Sequence, residues 1–139
     1  MINPFFKNNG PLKLSELLKP TVGFPNLVND IPNNDNFIYD VKNLNEATSK
    51  DITFFHSIKY KDLAIKSKAY ACITKNEFFS LLPNNCIKIS SDNILLLTAI
   101  ITSKFYPDSI TDNNNYDLCN ITNKFENIIS GTNTLVGTN

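Results

Sequence analysis

A chain of 139 residues with 42% hydrophobic and 19% charged side chains has the balance of a folded globular protein, which excludes an intrinsically disordered one. Its 13 basic residues are all lysines and balance 13 acidic residues, so no basic stripe favours a nucleic-acid or anionic-membrane partner. The longest apolar run, 94–101, is too short to span a bilayer, and residues 1–10 lack the pattern of a signal peptide. We therefore expect a cytoplasmic protein without a membrane span.

Short apolar runs separated by turn-forming residues predict alternating strands and helices. The first part of the chain predicts a strand at 12–14, then a helix capped by Ser15 and stopped by Pro20, and then a loop at 20–36. Further strands are expected at 37–44, 51–55, 69–74 and 86–89. Helices are expected at 59–67 and 76–82, and a longer one at 93–105, capped by Ser91 or Asp92 and ended by Pro107. This alternation predicts an α/β domain with a small mixed sheet that includes parallel pairs and short helices.

The character of the sequence changes after this domain. Residues 108–124 are polar and predict a linker. The triplet Gly131-Thr132-Asn133 then recurs six residues later as Gly137-Thr138-Asn139, with the apolar pair Leu135-Val136 between the two copies. A six-residue period of this kind is typical of a hexapeptide-repeat β-helix. The predicted parts are therefore a domain at 1–107, a linker at 108–124 and the start of a β-helix at 125–139.

The residues that most often hold metals do not form a metal-binding pattern. The three cysteines, Cys72, Cys86 and Cys119, are far apart and show no Cys-x-x-Cys spacing. We expect Cys72 and Cys86, which lie in apolar runs, to be buried free thiols of a reducing compartment. The single histidine, His56, has no second histidine for zinc and no Ser/His/Asp arrangement around it. Neither a metal site nor a cofactor is predicted.

Several motifs occur together in a recognisable order. Residues 51–60 read Asp-Ile-Thr-Phe-Phe-His-Ser-Ile-Lys-Tyr. They resemble a signature that runs Ile-Thr-Phe, two variable residues, then Asn-Pro-Lys-Tyr. The flanking segments 10–17, 44–47, 68–73 and 92–107 and the closing Gly-Thr-Asn repeat match the same pattern in order and spacing. Over nearly its whole length the chain resembles the UDP-3-O-acylglucosamine N-acyltransferases of lipid A biosynthesis.

That resemblance implies a fold and an activity. In the family, a small α/β domain leads into a left-handed parallel β-helix that forms a homotrimer. The enzyme transfers a 3-hydroxyacyl group from acyl carrier protein to the 2-amino group of UDP-3-O-acylglucosamine, in the cytoplasm of Gram-negative bacteria. The N-terminal domain holds the uridine of this substrate.

The resemblance also assigns nucleotide-binding residues. The family stacks uracil between two aromatic side chains, at positions that are Phe54 and Tyr60 here; the alternative is that both are core residues. Ser57 stands where the family usually has asparagine, so a single hydroxyl replaces an amide that both donates and accepts. Ile58 replaces the family's proline. Lys59 is a possible contact of the diphosphate, or else a solvated surface lysine.

No catalytic residue is predicted within this chain. The resemblance places the family's catalytic histidine in the β-helix, beyond residue 139, and we expect His56 to be a bystander or a minor ligand contact. Asp40 and Asp51 are expected to be turn and cap residues rather than general acids.

The length of the chain adds an expectation about activity. Two hexapeptides cannot close a β-helical coil, so we expect a truncated enzyme that binds its UDP-sugar but is inactive alone. The alternatives are a stand-alone UDP-sugar-binding module, and a structural domain that has lost nucleotide binding. The UDP-binding first domain of the Mur ligases is another alternative, which the hexapeptide ending disfavours.

Overall fold

The structure is a computed structural model that describes residues 6–20, 36–109, 119–121, 127–129, 131–132 and 134–136. Most of the predicted loop at 20–36, most of the predicted linker and the second Gly-Thr-Asn triplet lie outside these residues. None of the described helices combines the length and the apolarity needed to cross a membrane.

Six strands of the described 6–109 region form two sheets. Strands β1 (Leu12–Lys13) and β2 (Phe37–Ile38) pair antiparallel. Strands β3 (Asp40–Val41), β4 (Asp51–Phe55), β5 (Ala71–Thr74) and β6 (Ile87–Ser90) form a four-stranded sheet in that order, and all three pairs are parallel. The predicted α/β class is confirmed, but the parallel and antiparallel pairs are divided between two sheets and do not share one mixed sheet.

Short helices connect the strands. The α-helices are α1 (Leu14–Leu17), α2 (Lys61–Lys66) and α3 (Ile94–Phe105), and 3-10 helices occupy Ile58–Tyr60, Asn76–Leu81 and Pro107–Ser109. The positions of the helices confirm the sequence-based assignments to within a few residues.

Three local predictions were wrong in detail. Helix α1 begins at Leu14, so Ser15 lies inside it and is not its cap. Helix α3 is capped by Asn93, whose Oδ1 accepts the Leu96 N–H at 3.2 Å, and not by Ser91 or Asp92. The predicted strand at 37–44 is divided between β2 and β3, because its first part pairs with β1 and its second part pairs with β4.

The parallel sheet is covered on both faces. Because successive strand residues point to opposite faces, each strand contributes to two cores. The larger core packs α1 and α3 against the sheet and consists of Leu14, Leu17, Leu18, Ile38, Ile52, Ala71, Ile73, Ile89, Ile94, Leu97, Ile101 and Phe105. The smaller core lies under α2 and the 76–81 helix and consists of Leu44, Phe55, Ala64, Cys72, Leu82 and Cys86.

A lysine joins the first helix to the last. Lys104 Nζ donates hydrogen bonds to the backbone oxygens of Glu16, Leu17 and Lys19, at 3.1, 2.9 and 3.4 Å. These carbonyls lie at the end of α1, where helix oxygens lack partners within the helix and a cation is favourable. Burial lowers the pKa of Lys104. The short helix α1 is therefore held by α3 as well as by its own turn.

The region predicted as a β-helix contains a different pairing. Strand β7 (Cys119–Asn120) falls in the predicted linker and pairs antiparallel with strand β8 (Leu135–Val136). Neighbouring coils of a parallel β-helix pair in the parallel sense, so the start of a β-helix is not confirmed by the described residues.

The buried position of Ile101 generates a stability prediction. We expect Ile101→Ala to lower the free energy of unfolding by about 2–5 kcal/mol, because it leaves a cavity between α3 and the sheet. Leu95→Ala, on the same helix but 58% exposed, should change it by less than about 0.5 kcal/mol. Urea denaturation of the two variants checks this, and equal effects would contradict the assigned packing.

The two core thiols generate a reactivity prediction. Burial raises the pKa of Cys86 to about 11 and raises the pKa of Cys72 well above its usual range. Since the thiolate is the reactive form, iodoacetamide should modify both far more slowly in the folded protein than in guanidinium. A Cys119→Ser background leaves only these two thiols, and mass spectrometry reads their labelling. Rapid labelling of the folded protein would show that this core is open.

Candidate functional site

A crevice of about 330 Å³ opens at the carboxyl ends of β3 and β4. Its volume falls in the range of about 300–1,000 Å³ typical of small-molecule sites, and this edge of a parallel sheet is where such folds bind ligands. The crevice is lined by Asn43, Leu44, Asn45, Phe54, His56, Tyr60 and Leu63.

The end of β4 supplies one wall. Phe54 is half-buried and packs against the larger core, so its ring is anchored. His56 follows two residues later, where an extended chain returns to the same face, and it is exposed. The two rings stack with centroids 6.0 Å apart and planes inclined by 29°. The buried hydroxyl of Thr74 donates a hydrogen bond to the Phe55 carbonyl at 2.7 Å. This bond fixes the backbone between Phe54 and His56.

The 58–60 helix and α2 supply the opposite wall. Tyr60 and Leu63 lie three residues apart, a spacing that places both on one helical face toward the crevice. The Tyr60 ring lies 5.5 Å from the His56 ring, centroid to centroid, at 49°. The His56 imidazole therefore contacts both aromatic rings predicted to clamp a base.

The turn after β3 supplies the third side. Leu44 and Ala47 are buried, and the Asn43 carbonyl accepts the N–H groups of Glu46 and Ala47 at 3.1 and 2.9 Å. This anchoring leaves the side chains of Asn43 and Asn45 exposed on either side of Leu44, at the mouth of the crevice.

Two of the four predicted nucleotide-binding residues line this crevice. Phe54 and Tyr60 meet there, and Tyr60 is 45% exposed, so it is not a core residue. Ser57 and Lys59 do not line it. Ser57 is half-buried, and its Oγ accepts the Lys59 N–H at 3.4 Å as the cap of the 58–60 helix. Lys59 is exposed on that helix.

Sequence reasoning missed Asn43, Asn45 and Leu63. Asn43 was placed within the predicted strand at 37–44 and Asn45 just after it, whereas in the structure both lie in the turn that follows β3. The rule that ligands bind beyond the carboxyl ends of parallel strands would have marked this turn, once β3 and β4 were known to be neighbours.

The lining groups suit a flat, partly polar molecule. Three aromatic rings offer faces for stacking, and two amides offer donors and acceptors for hydrogen bonds. Within the described ranges, no cluster of three or more His, Cys, Asp or Glu side chains could hold a metal ion.

Residues 36–103, which include every lining residue of the crevice, match a known protein family. Its description is UDP-3-O-(3-hydroxymyristoyl) glucosamine N-acyltransferase, LpxD. Similar curated proteins are UDP-3-O-acylglucosamine N-acyltransferases. Those of Rickettsia bellii and Rickettsia prowazekii are each 31% identical, over 110 and 109 residues, or 76% and 73% of this chain. That of Rickettsia akari is 32% identical over 105 residues, or 73% of this chain. The chain spans 31%, 29% and 29% of the lengths of these three relatives.

The unequal burial of the two predicted clamp rings generates a prediction. We expect Phe54→Ala to lower the free energy of unfolding by about 2 kcal/mol, because its ring packs against the larger core. Tyr60→Ala should cost less than about 1 kcal/mol, because that ring is largely exposed. Chemical denaturation compares the free energies of unfolding of the two variants. A larger loss of stability for Tyr60→Ala than for Phe54→Ala would contradict the packing described for these two rings.

Proposed function

This chain belongs to the UDP-3-O-acylglucosamine N-acyltransferase family, and we propose that its crevice binds the uridine of the family's nucleotide-sugar substrate. In this proposal the uracil ring lies against Phe54 and Tyr60. Residues 1–139 hold the acceptor substrate and do not themselves perform the chemistry.

One observation carries the proposal. The two rings picked out by the family resemblance line the same crevice, and the imidazole of His56 already stacks beside one and tilts against the other. The chain thus holds a flat heteroaromatic ring of its own in contact with both. Stacking of a base on an aromatic side chain contributes about 1–3 kcal/mol, judged by alanine substitution.

The core-packed ring of Phe54 and the exposed ring of Tyr60 contribute differently to the proposed stacking of the base. Phe54 is packed from behind and therefore presents a fixed face, which loses little conformational freedom when a base stacks on it. Tyr60 is exposed on a short helix whose start is capped by Ser57, so it closes on the base from the solvent side. The role proposed for Ser57 is accordingly to position Tyr60, and Lys59 lies next to the site as a candidate for the diphosphate.

For the whole enzyme we propose the family's reaction. A 3-hydroxyacyl group passes from acyl carrier protein to the 2-amino group of UDP-3-O-acylglucosamine, in a cytoplasmic homotrimer of a Gram-negative bacterium. Family membership supports this proposal. The crevice contains one imidazole, that of His56, and its contacts with Phe54 and Tyr60 suit stacking rather than general-base catalysis.

Titration with UDP tests the proposed site. We expect the 139-residue chain to bind UDP, and Tyr60→Ala to weaken binding about 5- to 150-fold, the equivalent of about 1–3 kcal/mol. Isothermal titration calorimetry measures both affinities. The substitution removes one stacking face and, since Tyr60 is exposed, leaves the fold intact.

Tyr39→Ala is the matched control. Tyr39 is 46% exposed, against 45% for Tyr60, but it lies outside the crevice and has the Lys50 ammonium 5.1 Å from its ring centroid. This variant should bind UDP as the unmodified chain does. Failure of the unmodified chain to bind UDP, or equal affinities for it and Tyr60→Ala, would refute the proposed site.

A further inference from the structure

The segment 58–68, which contains α2 and leads from β4 towards β5, exposes a cluster of large apolar side chains. Only Ala64 of α2 is buried, so the helix rests on the smaller core with most of its surface open to solvent. Ile58, Leu63 and Ile65 are 54%, 42% and 48% exposed. A single exposed aliphatic side chain is ordinary, but several together form a patch of the kind that marks an interaction surface.

The same segment holds a local surplus of positive charge. Although the chain as a whole is neutral, 58–68 contains four lysines and one acidic residue, Asp62. Within the part of the chain that the structure describes, none of these lysines forms an ion pair. The adjacent segment 75–81 adds no net charge, because its one lysine and one glutamate lie 3.8 Å apart and cancel. All four lysines of 58–68 are exposed: Lys59, Lys61, Lys66 and Lys68.

The turns of α2 arrange these groups along an outward ridge. Successive residues of an α-helix are rotated by about 100°, so Leu63 and Ile65 lie on the two flanks of the buried Ala64. By the same rotation, Asp62 and Lys66 lie opposite Ala64 and face solvent between these flanks. A broad surface that met this ridge would contact aliphatic side chains and lysines together.

We propose that the 58–68 ridge docks this domain on an anionic lipid surface. Anionic headgroups attract clustered lysines, and aliphatic side chains enter the boundary between the headgroups and the acyl chains. Charge complementarity selects this partner, because the ridge combines a surplus of three positive charges with exposed aliphatic surface. The attachment is that of a domain that lies on a bilayer, and it is reversible and weakened by salt.

The position of the ridge gives this contact a role. Tyr60 and Leu63 belong to the ridge and also line the crevice, so the docked face carries the mouth of the proposed substrate site. The UDP-3-O-acylglucosamine of the proposed function joins a charged nucleotide to an acyl chain and is therefore amphiphilic. A buried acyl chain favours partition into a bilayer, so a docked domain would meet this substrate where it is concentrated.

Vesicle co-sedimentation of the 139-residue chain, without nucleotide, tests the docking. Pure phosphatidylcholine vesicles are compared with vesicles of about one-third phosphatidylglycerol, at about 0.1 M salt. We expect binding to the anionic vesicles to be at least about tenfold tighter, because the lysines contribute only there. Raising the salt to about 0.5 M should remove most of this difference, since the lysines are exposed and readily screened.

Substitutions on the ridge locate the contact. Lys61→Gln/Lys66→Gln should weaken binding to the anionic vesicles about 10- to 30-fold, and Ile65→Ser should weaken it about fivefold. Asp62→Asn should strengthen binding about two- to fivefold, because it removes the one negative charge of the ridge. Loss of the fold would not produce such a gain, so this variant separates docking from a structural effect.

Lys7→Gln/Lys19→Gln is the control for charge, and Leu95→Ser is the control for exposed aliphatic surface. All three side chains are exposed. Lys19 follows α1 and Leu95 belongs to α3, and both helices pack on the face of the sheet opposite α2. Lys7 lies near the end of α3, where the Asn9 N–H donates to the Phe105 carbonyl at 2.8 Å. These variants should bind within about twofold of the unmodified chain.

Several results would overturn the lipid partner. They are a failure to sediment with anionic vesicles, equal binding to neutral and anionic vesicles, and equal losses in the ridge variants and the controls. Binding to soluble polyglutamate but not to anionic vesicles would assign the ridge to an acidic protein and would also overturn it. Because nucleotide is absent from this experiment, the uridine site is tested separately by the UDP titration.

Discussion

The hydrogen bonds and ion pair of the buried Asp51 carboxylate are the interactions on which the crevice edge of the parallel sheet depends. The Oδ2 of Asp51 accepts hydrogen bonds from the N–H and hydroxyl of Thr48, at 2.9 and 2.7 Å, and forms an ion pair with Lys42 at 3.2 Å. Its backbone oxygen also accepts the Tyr70 N–H at the start of the β5 pairing. One residue therefore ties together the turn that follows β3, the first residue of β4 and the neighbouring strand, and a buried carboxylate must have such partners to be tolerated.

This anchoring has consequences at the far end of the same strand. Successive side chains of a strand point to opposite faces of the sheet. In β4, Ile52 and Phe54 therefore lie on one face, and Thr53 and Phe55 lie on the other. The chain then continues to His56 on the side of Phe54, and the rigid strand end becomes a wall. Because β3 is parallel to β4, the turn that carries Asn43 and Asn45 emerges at the same edge. The crevice is thus a product of strand direction and register, in keeping with the usual position of ligand sites in parallel sheets.

Much of the secondary structure could be predicted from the sequence, because short apolar runs and turn residues act locally. The strand at 51–55 and the long helix before Pro107 were predicted closely for this reason. The single strand predicted at 37–44 was wrong, since the change of partner from β1 to β4 depends on residues distant in sequence. The family resemblance picked out Phe54 and Tyr60, and the structure shows that both line the crevice. Asn43, predicted to lie in a strand, and Asn45 carried no local signal that set them apart from other asparagines.

The sequence by itself determined the α/β class, the buried thiols, and an aromatic pair spaced so that a strand end and a helix start could present both rings. These features follow from periodicity and residue type, which each segment carries with it. Only the tertiary structure decided that the strands of the main sheet are all parallel and that the turn after β3 faces the end of β4. It also decided that the His56 ring contacts both Phe54 and Tyr60, and that the Ser57 hydroxyl caps its own helix. The physical reason is that strand pairing and side-chain contacts across a crevice depend on how distant segments pack together, which no local pattern specifies.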